Sequence, residues 1–492
     1  MLMLEPVAVI LSGATTTKAL CQVYAEYERR LSEGQLYVIK EFSNGELSST
    51  ILCRVDKIIP YEEFYEKGDA WSEARRKRAP IPTEVSRKYV VAELELLGEI
   101  GKRGGLHEVS RPPSPGDEVF KITSEDMTKM LGFDPRKHAL IDVGRLFGYE
   151  EVRIPLDLQA LSMHMAILGV TGSGKSYTAG YIIEKLKDLK VENSRIAIPT
   201  IIIDANGDYL DFWEVYRVTG SFGNYRKVYR FVFEGSSAYR EYRYFKGGIN
   251  TIKVNLNTFK PREIAELIIT YYSGGFPNEL QVSGLELAIS NLQEDEYYEL
   301  NEIFTEDEAL EKLYGKLKEA KNKKLIHDQT YNAITRAITK FTGDLRDQYK
   351  VLSPLNGENM DTLDEAFIDK ISEEKPSLVI VDFSADGATG VPLNVKQFIV
   401  SYITKLLYHK FVSYKSESKE RLLLLMIEEA QNYCPNLQAY PVGYSLAREN
   451  LALIATQGRK FGLCLCLISQ RPSFIDPVVL SMINTFIIHR IS

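Results

Sequence analysis

Gly169-Val-Thr-Gly-Ser-Gly-Lys175-Ser176 decides the fold, because it sets three glycines, a lysine and a hydroxyl residue in a fixed spacing. It matches the pattern G-x-x-x-x-G-K-[ST] in full. The glycines let backbone N–H groups point inward at phosphate oxygens, and a helix that follows adds the positive end of its dipole. The stretch, called the phosphate loop below, therefore predicts a nucleotide site that uses Gly169, Thr171, Gly172, Ser173, Gly174, Lys175, Ser176 and Tyr177.

Two residues of the phosphate loop have predicted chemical roles. Lys175 would reach the β- and γ-phosphates of ATP, and the Ser176 hydroxyl would complete a Mg²⁺ site. The same pattern also occurs as a plain glycine-rich turn, but here a short apolar strand at 163–168 precedes it and a helical pattern at 177–189 follows. This is the context that phosphate binding requires, so we expect ATP and Mg²⁺ as ligands.

Five more short apolar runs follow the phosphate loop along the chain. Continuous apolar runs, rather than alternating ones, are typical of parallel strands that are buried on both faces. Helical patterns separate several of them, which predicts an α/β core with a doubly wound parallel sheet. The runs are 200–204, 377–382, 422–427, 462–469 and 485–489.

The two remaining parts of the chain have other patterns. Short strand-like runs at 7–11, 35–42, 51–59, 88–97 and 118–122, separated by turn residues, predict a small N-terminal β-barrel. A charged segment at 61–74 is patterned like a helix, and the stretch from 261 to 374 predicts an all-α insertion that packs separately. The alternative is that 261–374 is an ordinary long connection between core strands with no function of its own. We therefore predict a barrel domain at 1–150, an ATPase core at 151–260 and 375–492, and a helical insertion at 261–374.

Three of the predicted core strands end in an acidic residue: Asp204, Asp382 and the pair Glu428-Glu429. Hydrolysis needs one carboxylate near the metal ion and usually a second one that activates water. Only the third strand supplies two in a row, so we predict that Glu428 lies on the metal side and that Glu429 is the general base. Two glutamates that merely begin a helix are the alternative. Asp204 is a further candidate, either on the metal side or one layer behind the residues that contact the metal ion.

Two more candidates follow the acidic pair. Gln470 lies at the tip of the predicted strand 462–469, where a polar side chain can sense the γ-phosphate; a simple loop residue is the alternative. Arg459 lies at the end of an apolar helical pattern, where it could reach the nucleotide of a neighbouring subunit as an arginine finger. A solvated helix end is the competing interpretation.

Composition and charge bear on three questions: contact with nucleic acid, a disulfide framework and contact with a membrane. The 492 residues carry 60 Lys and Arg against 67 Asp and Glu, so any contact with nucleic acid must use a local basic surface rather than the net charge of −7. Five scattered cysteines do not form a disulfide framework. No basic leader segment or uninterrupted apolar run of about 18 residues is present, so we expect a cytoplasmic protein without membrane contact.

Several segments taken together resemble the HerA family of the HerA/FtsK P-loop ATPases, over nearly the whole chain. They are the phosphate loop, Asp204-Ala-Asn-Gly-Asp-Tyr209, 424–429 followed by Ala-Gln-Asn, Gly458-Arg-Lys-Phe-Gly462 and Ser469-Gln-Arg-Pro472. The resemblance implies a RecA-like core and a homohexameric ring that hydrolyses ATP between subunits and pumps double-stranded DNA. It also implies that the protein acts together with the NurA nuclease and with the complex that repairs double-strand breaks.

The resemblance also extends to single residues. It places Arg459 in the region of the arginine that acts on the neighbouring subunit, and Gln470 at the sensor position. Arg145, in Gly144-Arg-Leu146, matches another arginine that contacts nucleotide. Two features depart from the pattern: the acidic pair is Glu-Glu rather than the Asp-Glu of FtsK-like relatives, which suggests a metal contact through water, and the sequence stops at Ser492, where HerA proteins tend to carry a short tail.

A DNA translocase grips phosphates with basic or polar loops that face its channel. Loops that follow the core strands are candidates, at 208–222, 253–260 and 433–448, and the Arg-Arg-Lys-Arg run at 75–78 is either a contact or a solvated face. Besides a DNA translocase, two other functions fit the motifs. One is a protein-pumping ATPase of the secretion or conjugation type, and the other is a scaffold for a nuclease whose assembly is switched by nucleotide.

Overall fold

The computed structural model describes residues 5–43, 46–101, 103–133, 140–158, 163–191, 194–242, 249–354, 362–372, 376–384, 390–440 and 444–491. These residues divide into two compact units, the first ending at Asp157 and the second beginning at Leu158.

The first unit is built on a closed antiparallel barrel. Its strands are β1 (Pro6–Ile10), β2 (Lys18–Val23), β3 (Leu36–Ser43), β4 (Glu46–Glu62), β5 (Lys88–Ile100), β6 (Leu106–His107) and β7 (Glu118–Lys121). Six of them pair in the order β2-β1-β7-β3-β4-β5, and β2 also pairs with β5, so the ring is closed. The five predicted strands are confirmed. Strand β2 was missed because its inward side chains are small, Ala19, Cys21 and Val23.

The helical pattern predicted at 61–74 is wrong for most of that segment. Strand β4 continues to Glu62, a 3-10 turn follows at Glu63–Tyr65, and helix α1 covers only Ser72–Arg76. Cross-strand pairing extends the β4–β5 hairpin, with the rings of Tyr61 and Tyr89 stacked at 4.5 Å between centroids. Such aromatic cross-strand pairs stabilise an extended hairpin.

The basic run at 75–78 is largely neutralised within the same segment. Arg75 forms an ion pair with Asp69 at 2.7 Å, and Arg76 and Lys77 both pair with Glu73. Three of its four cations therefore already have acidic partners, which favours the solvated face over a DNA contact. The first unit ends with α2 (Ser124–Met130) and the hairpin β8 (Leu140–Arg145) and β9 (Arg153–Asp157).

The second unit has an eight-stranded sheet whose pairings are all parallel, as predicted. Its order is β15-β14-β16-β13-β17-β18-β10-β19. The strands are β10 (Met165–Leu168), β13 (Thr200–Asp204), β14 (Val228–Val232), β15 (Asn250–Thr251), β16 (Leu378–Asp382), β17 (Leu423–Ile427), β18 (Leu463–Ser469) and β19 (Thr485–Ile488). A small separate hairpin is formed by β11 (Leu189–Val191) and β12 (Ser194–Ile196).

Strand β14 was not predicted, because a charged residue interrupts its apolar pattern. Arg230 is buried in the strand and forms an ion pair with Asp382 at 2.8 Å. A buried charge needs a partner, and this one comes from a strand about 150 residues later in the chain. Asp382 is thereby assigned to the core rather than to a metal site.

The helices of the second unit cover both faces of the sheet and form the insertion. They are α3 (Lys175–Leu186), α4 (Leu210–Thr219), α5 (Ser237–Tyr242), α6 (Pro261–Ser273), α7 (Glu279–Glu296), α8 (Leu300–Thr305), α9 (Asp307–Asn322), α10 (Asp328–Thr342), α11 (Glu365–Ile371), α12 (Leu393–Ser416), α13 (Ala447–Gln457) and α14 (Pro477–Ser481). Within the described ranges, no helix is long and apolar enough to cross a bilayer.

The insertion does not pack separately, contrary to the expectation from the sequence. Apolar residues of its helices, such as Leu285, Ile303 and Ile334, belong to the same buried cluster as Ile201 and Val379 of the sheet. A shared core fixes the insertion to the ATPase unit. The carboxyl ends of the parallel strands meet at one edge of the sheet, which is where such folds place their ligand sites.

Candidate nucleotide-binding and hydrolysis site

The phosphate loop connects β10 to the first turn of α3. Gly174 precedes the helix with φ +97°, a left-handed conformation that favours glycine. At Gly169 a Cβ atom would lie only 2.7 Å from Cβ of His489, which follows β19 on the neighbouring strand. Lys175 Nζ donates to the Val170 carbonyl at 3.0 Å. The backbone of the loop therefore has the shape that exposes N–H groups at a helix N-terminus to an anion.

Glu428 is held directly against the start of α3. It follows β17, and its side chain is only 2% exposed. Its Oε1 accepts hydrogen bonds from Ser176 Oγ at 3.2 Å and from the Tyr209 hydroxyl at 3.0 Å, and its Oε2 accepts from the Ala205 N–H at 3.2 Å. The two residues predicted on the metal side, Ser176 and Glu428, are thus in contact.

The surroundings of Glu428 disfavour its negative charge. Burial raises the pKa of its carboxyl to about 8, and the nearby charges of Asp204 and Asp208 act in the same direction. The hydrogen bonds from Tyr209 and Ala205 oppose the rise. A buried acid of this kind binds a divalent cation strongly once it has lost its proton, because the cation replaces the missing positive partner.

Asp204 ends β13, and backbone N–H groups occupy both of its carboxylate oxygens. Its Oδ1 accepts hydrogen bonds from the backbone N–H groups of Asn206, Gly207 and Asp208, at 2.7–3.2 Å, and its Oδ2 accepts from that of Tyr209 at 3.2 Å. Both oxygens are therefore used to close the loop after β13. Of the two predicted roles, this geometry favours the one behind the metal's own ligands, where Asp204 shapes the loop and adds to the negative charge near Glu428. A direct role at the metal ion stays a prediction.

The predicted base and sensor residues also lie together. Gln470, which follows β18, donates from Nε2 to both carboxylate oxygens of Glu429 at 3.2–3.3 Å. Its Oε1 accepts a hydrogen bond from Thr171 Oγ1 of the phosphate loop at 2.5 Å. Gln470 therefore connects the phosphate loop to Glu429, a geometry that suits a residue responding to the terminal phosphate.

Three residues of the site were not assigned a role from the sequence. Tyr209 contacts Glu428, Gln431 donates to Glu429, and Ser469 Oγ donates to Gln431 at 2.6 Å. All three are buried. Tyr209, Gln431 and Ser469 all lie in the quoted segments, and polar residues that end or follow a buried strand are the signal that could have singled them out.

The remaining candidates are exposed on a single chain. Tyr177 is 80% exposed and borders, with Ser176, Asp208 and Phe212, a cleft of about 650 Å³. Arg459 is exposed in the 3-10 turn Gly458–Phe461 that follows α13. Arg145 is exposed on β8, in the first unit. The contact of Tyr177 with nucleotide therefore stays a prediction. The same holds for the contacts of Arg459 and Arg145 with the nucleotide of a neighbouring subunit.

The acids of the site do not form a ready-made metal cage. In the part of the chain that is described, no group of three or more His, Cys, Asp and Glu side chains could hold a metal ion. Mg²⁺ in nucleotide sites is held by one or two protein oxygens together with phosphates and water. Ser176 Oγ and the Glu428 carboxylate fit that donor set.

Comparison with known proteins gives consistent matches. Residues 141–407, more than half of the 492-residue chain, match the family model described as Helicase HerA, central domain. A probable helicase of Methanocaldococcus jannaschii is 24% identical over 415 residues, 82% of this chain and 68% of that protein. The DNA double-strand break repair helicase HerA of Saccharolobus solfataricus is 21% identical over 488 residues, 98% of this chain and 82% of that protein. Among solved structures, the bacterial conjugative coupling protein TrwBdeltaN70 is 16% identical with a TM-score of 0.43, and the alignment covers 74% of each chain.

Proposed function

The chain belongs to the HerA helicase family, and on this premise we propose that it is an ATP-driven motor that moves double-stranded DNA during the processing of double-strand break ends. The observation that carries the ATP-driven part of the proposal is the pair of contacts around the phosphate loop, Ser176 with Glu428 and Gln470 with Glu429. The first contact would provide a metal side and the second a base beside a sensor, which hydrolysis requires beyond nucleotide binding. The DNA part of the proposal is supported by the family to which the chain belongs.

The residues divide the chemistry between them. Mg²⁺, held by Ser176 and Glu428 together with the phosphates, would neutralise charge that develops on the phosphoryl group. Lys175 would bind the terminal phosphates, and Glu429 would accept the proton of the attacking water. Gln470 lies between the phosphate loop and this carboxylate, so it would orient the water or report the presence of the γ-phosphate.

The exposed arginines support a ring as the active form. Arg459 and Arg145 are both exposed, and a finger supplied by a neighbour strengthens hydrolysis by roughly 10³–10⁵-fold in other P-loop enzymes. We propose a homohexamer in which each site is completed by the next subunit. A NurA-like nuclease and the double-strand break repair complex are the proposed partners, and the cytoplasm is the proposed location.

DNA would be gripped by loops at the carboxyl edge of the sheet. The candidate segments at 208–222 and 433–448 follow β13 and β17, but their cations Arg217 and Arg448 form ion pairs with Glu214 and Asp476. In 253–260, Lys253 pairs with Glu234. Residues 441–443, within the segment 433–448, lie outside the described ranges. We therefore propose a grip shared among several subunits and independent of base sequence, rather than one dense basic patch.

The proposal is tested by ATP turnover measured with and without linear duplex DNA. We expect duplex DNA to stimulate turnover, with the effect lost in Lys175→Ala. The matched control is Lys185→Ala, on the same helix but in its last turn. Turnover that does not respond to DNA, together with no DNA binding at low salt, would contradict a DNA motor.

A further inference from the structure

We propose that Gln431 and Ser469 form a positioning pair that fixes the carboxylate of Glu429 through a directed chain of hydrogen bonds starting at strand β18. The inference rests on the proposed function, because it takes Glu429 as the general base. It adds two residues that do not touch nucleotide or water themselves and act on hydrolysis through that base.

The chain of hydrogen bonds has only one possible direction. A carboxylate can only accept hydrogen bonds, so the nitrogen of the Gln431 amide must face Glu429, and Gln431 Nε2 does donate to Glu429 Oε2. The amide oxygen then faces Ser469, and because it can only accept, the Ser469 hydroxyl donates to Gln431 Oε1 at 2.6 Å. Ser469 Oγ in turn accepts from the Arg471 backbone N–H at 3.0 Å.

Burial makes this arrangement costly to change. Gln431 is 3% exposed in the 3-10 turn Ala430–Asn432, directly after β17, and Ser469 is 1% exposed at the end of β18. A buried amide that loses a partner has no water to replace it. The pair therefore links the ends of two neighbouring strands, one carrying the acids and the other carrying the sensor.

Glu429 needs such support because of its backbone. Its φ is +49°, in the left-handed region that non-glycine residues rarely adopt. With this backbone conformation, strand β17 does not determine where the Glu429 side chain points. Its orientation therefore depends on the hydrogen bonds to its carboxylate. Strained backbone at functional sites persists when the surrounding structure determines it.

The side-chain amides of Gln470 and Gln431 both donate to the carboxylate of Glu429, but their oxygens accept from different residues. Gln470 is tied to Thr171, which is exposed on the phosphate loop, whereas Gln431 is tied to the buried end of β18. A nucleotide at the loop can reach the first amide through Thr171, whereas the second amide is anchored inside the fold. We therefore assign Gln431 the role of the fixed reference that keeps Glu429 oriented.

Removing the Ser469 hydroxyl leaves the buried Oε1 of Gln431 without its partner. The side chain then shifts toward another donor and carries Nε2 away from the carboxylate of Glu429. The base would be displaced while the phosphate loop, Ser176 and Glu428 keep their contacts, so turnover falls and nucleotide binding does not. Misplacement of a catalytic group by about 1 Å costs on the order of 10²-fold in rate.

The test compares kcat for ATP and the Kd for a fluorescent ADP analogue among Ser469→Ala, Ser469→Thr and unmodified protein, with DNA present. We expect Ser469→Ala to lower kcat roughly 10- to 100-fold and to leave Kd within about twofold. Threonine keeps the hydroxyl and suits a strand, so Ser469→Thr should recover most of kcat. The control is Ser372→Ala, which should leave kcat unchanged. Ser372 directly follows α11, and its buried hydroxyl donates to the Ile368 carbonyl within that helix.

A second variant guards against a folding defect. Gln431→Met keeps the length of the side chain and removes both hydrogen bonds, and it should lower kcat as Ser469→Ala does. Unchanged kcat in both variants overturns the positioning pair, and so does a parallel loss of kcat and ADP binding, or a threonine variant as slow as the alanine one. If unmodified protein shows no turnover, the proposed function itself fails, which separates the two outcomes.

Discussion

Replacing Tyr209 by phenylalanine removes one hydroxyl group and leaves the ring in place. The side chain is 1% exposed, and its hydroxyl donates to Glu428 Oε1 at 3.0 Å. The same carboxylate keeps its contacts with Ser176 Oγ and the Ala205 N–H. The change therefore weakens the support of Glu428 without emptying a cavity in the core.

The expected magnitude follows from the charge on the acceptor. A hydrogen bond to a charged group contributes about 1.5–3 kcal/mol, and two remaining donors compensate for part of its loss. The Tyr209 hydroxyl also opposes the rise in the pKa of Glu428, so its removal raises that pKa further and makes loss of the proton to Mg²⁺ harder. We expect the Mg²⁺ concentration that gives half-maximal ATP turnover to rise about tenfold, equivalent to about 1.4 kcal/mol.

The assay is a Mg²⁺ titration of ATP turnover at neutral pH, accompanied by binding of fluorescent ADP without Mg²⁺, which should not change. The matched control is Tyr225→Phe, because its buried hydroxyl donates to the Ile198 carbonyl at 2.9 Å near the opposite end of β13. A Mg²⁺ midpoint within twofold of the unmodified protein would refute the reasoning. An equal shift in the Tyr225 variant would refute it as well.

Three further predictions address the base, the phosphate loop and the core. Glu429→Gln should keep nucleotide affinity and lower kcat at least about 100-fold, measured by binding and turnover on the same preparation, since an amide accepts no proton from water. Gly169→Ala should abolish nucleotide binding, because its Cβ would lie 2.7 Å from Cβ of His489; tight binding by calorimetry would contradict this. Burial lowers the pKa of His164 to about 4, so the folded protein binds fewer protons than the unfolded chain between that pH and 6.5. Stability should therefore fall by about 3 kcal/mol as the pH falls through this window, and His164→Asn should lose that dependence in denaturant unfolding.

The sequence was sufficient for features that depend on local pattern. The phosphate loop and the apolar strands β10, β13, β16, β17 and β18 were predicted because spacing and continuous burial leave a direct trace in the chain. The contact of Ser176 with Glu428 could be anticipated, since the carboxyl ends of parallel strands meet at one edge.

Features that depend on distant partners were missed. Strand β14 contains Arg230, whose charge is acceptable only because Asp382 lies beside it. The orientation of Gln431 is fixed by Ser469, 38 residues further along the chain, and no spacing rule encodes that contact.

The most direct test of the account is displacement of a third strand from a linear triplex by the protein, ATP and Mg²⁺. A motor that moves along duplex DNA removes the third strand as it advances, whether or not it separates the two strands of the duplex. We predict ATP-dependent displacement by the unmodified protein and none by Lys175→Ala or Glu429→Gln. Vigorous ATP hydrolysis on the same DNA with the third strand left in place would contradict the account.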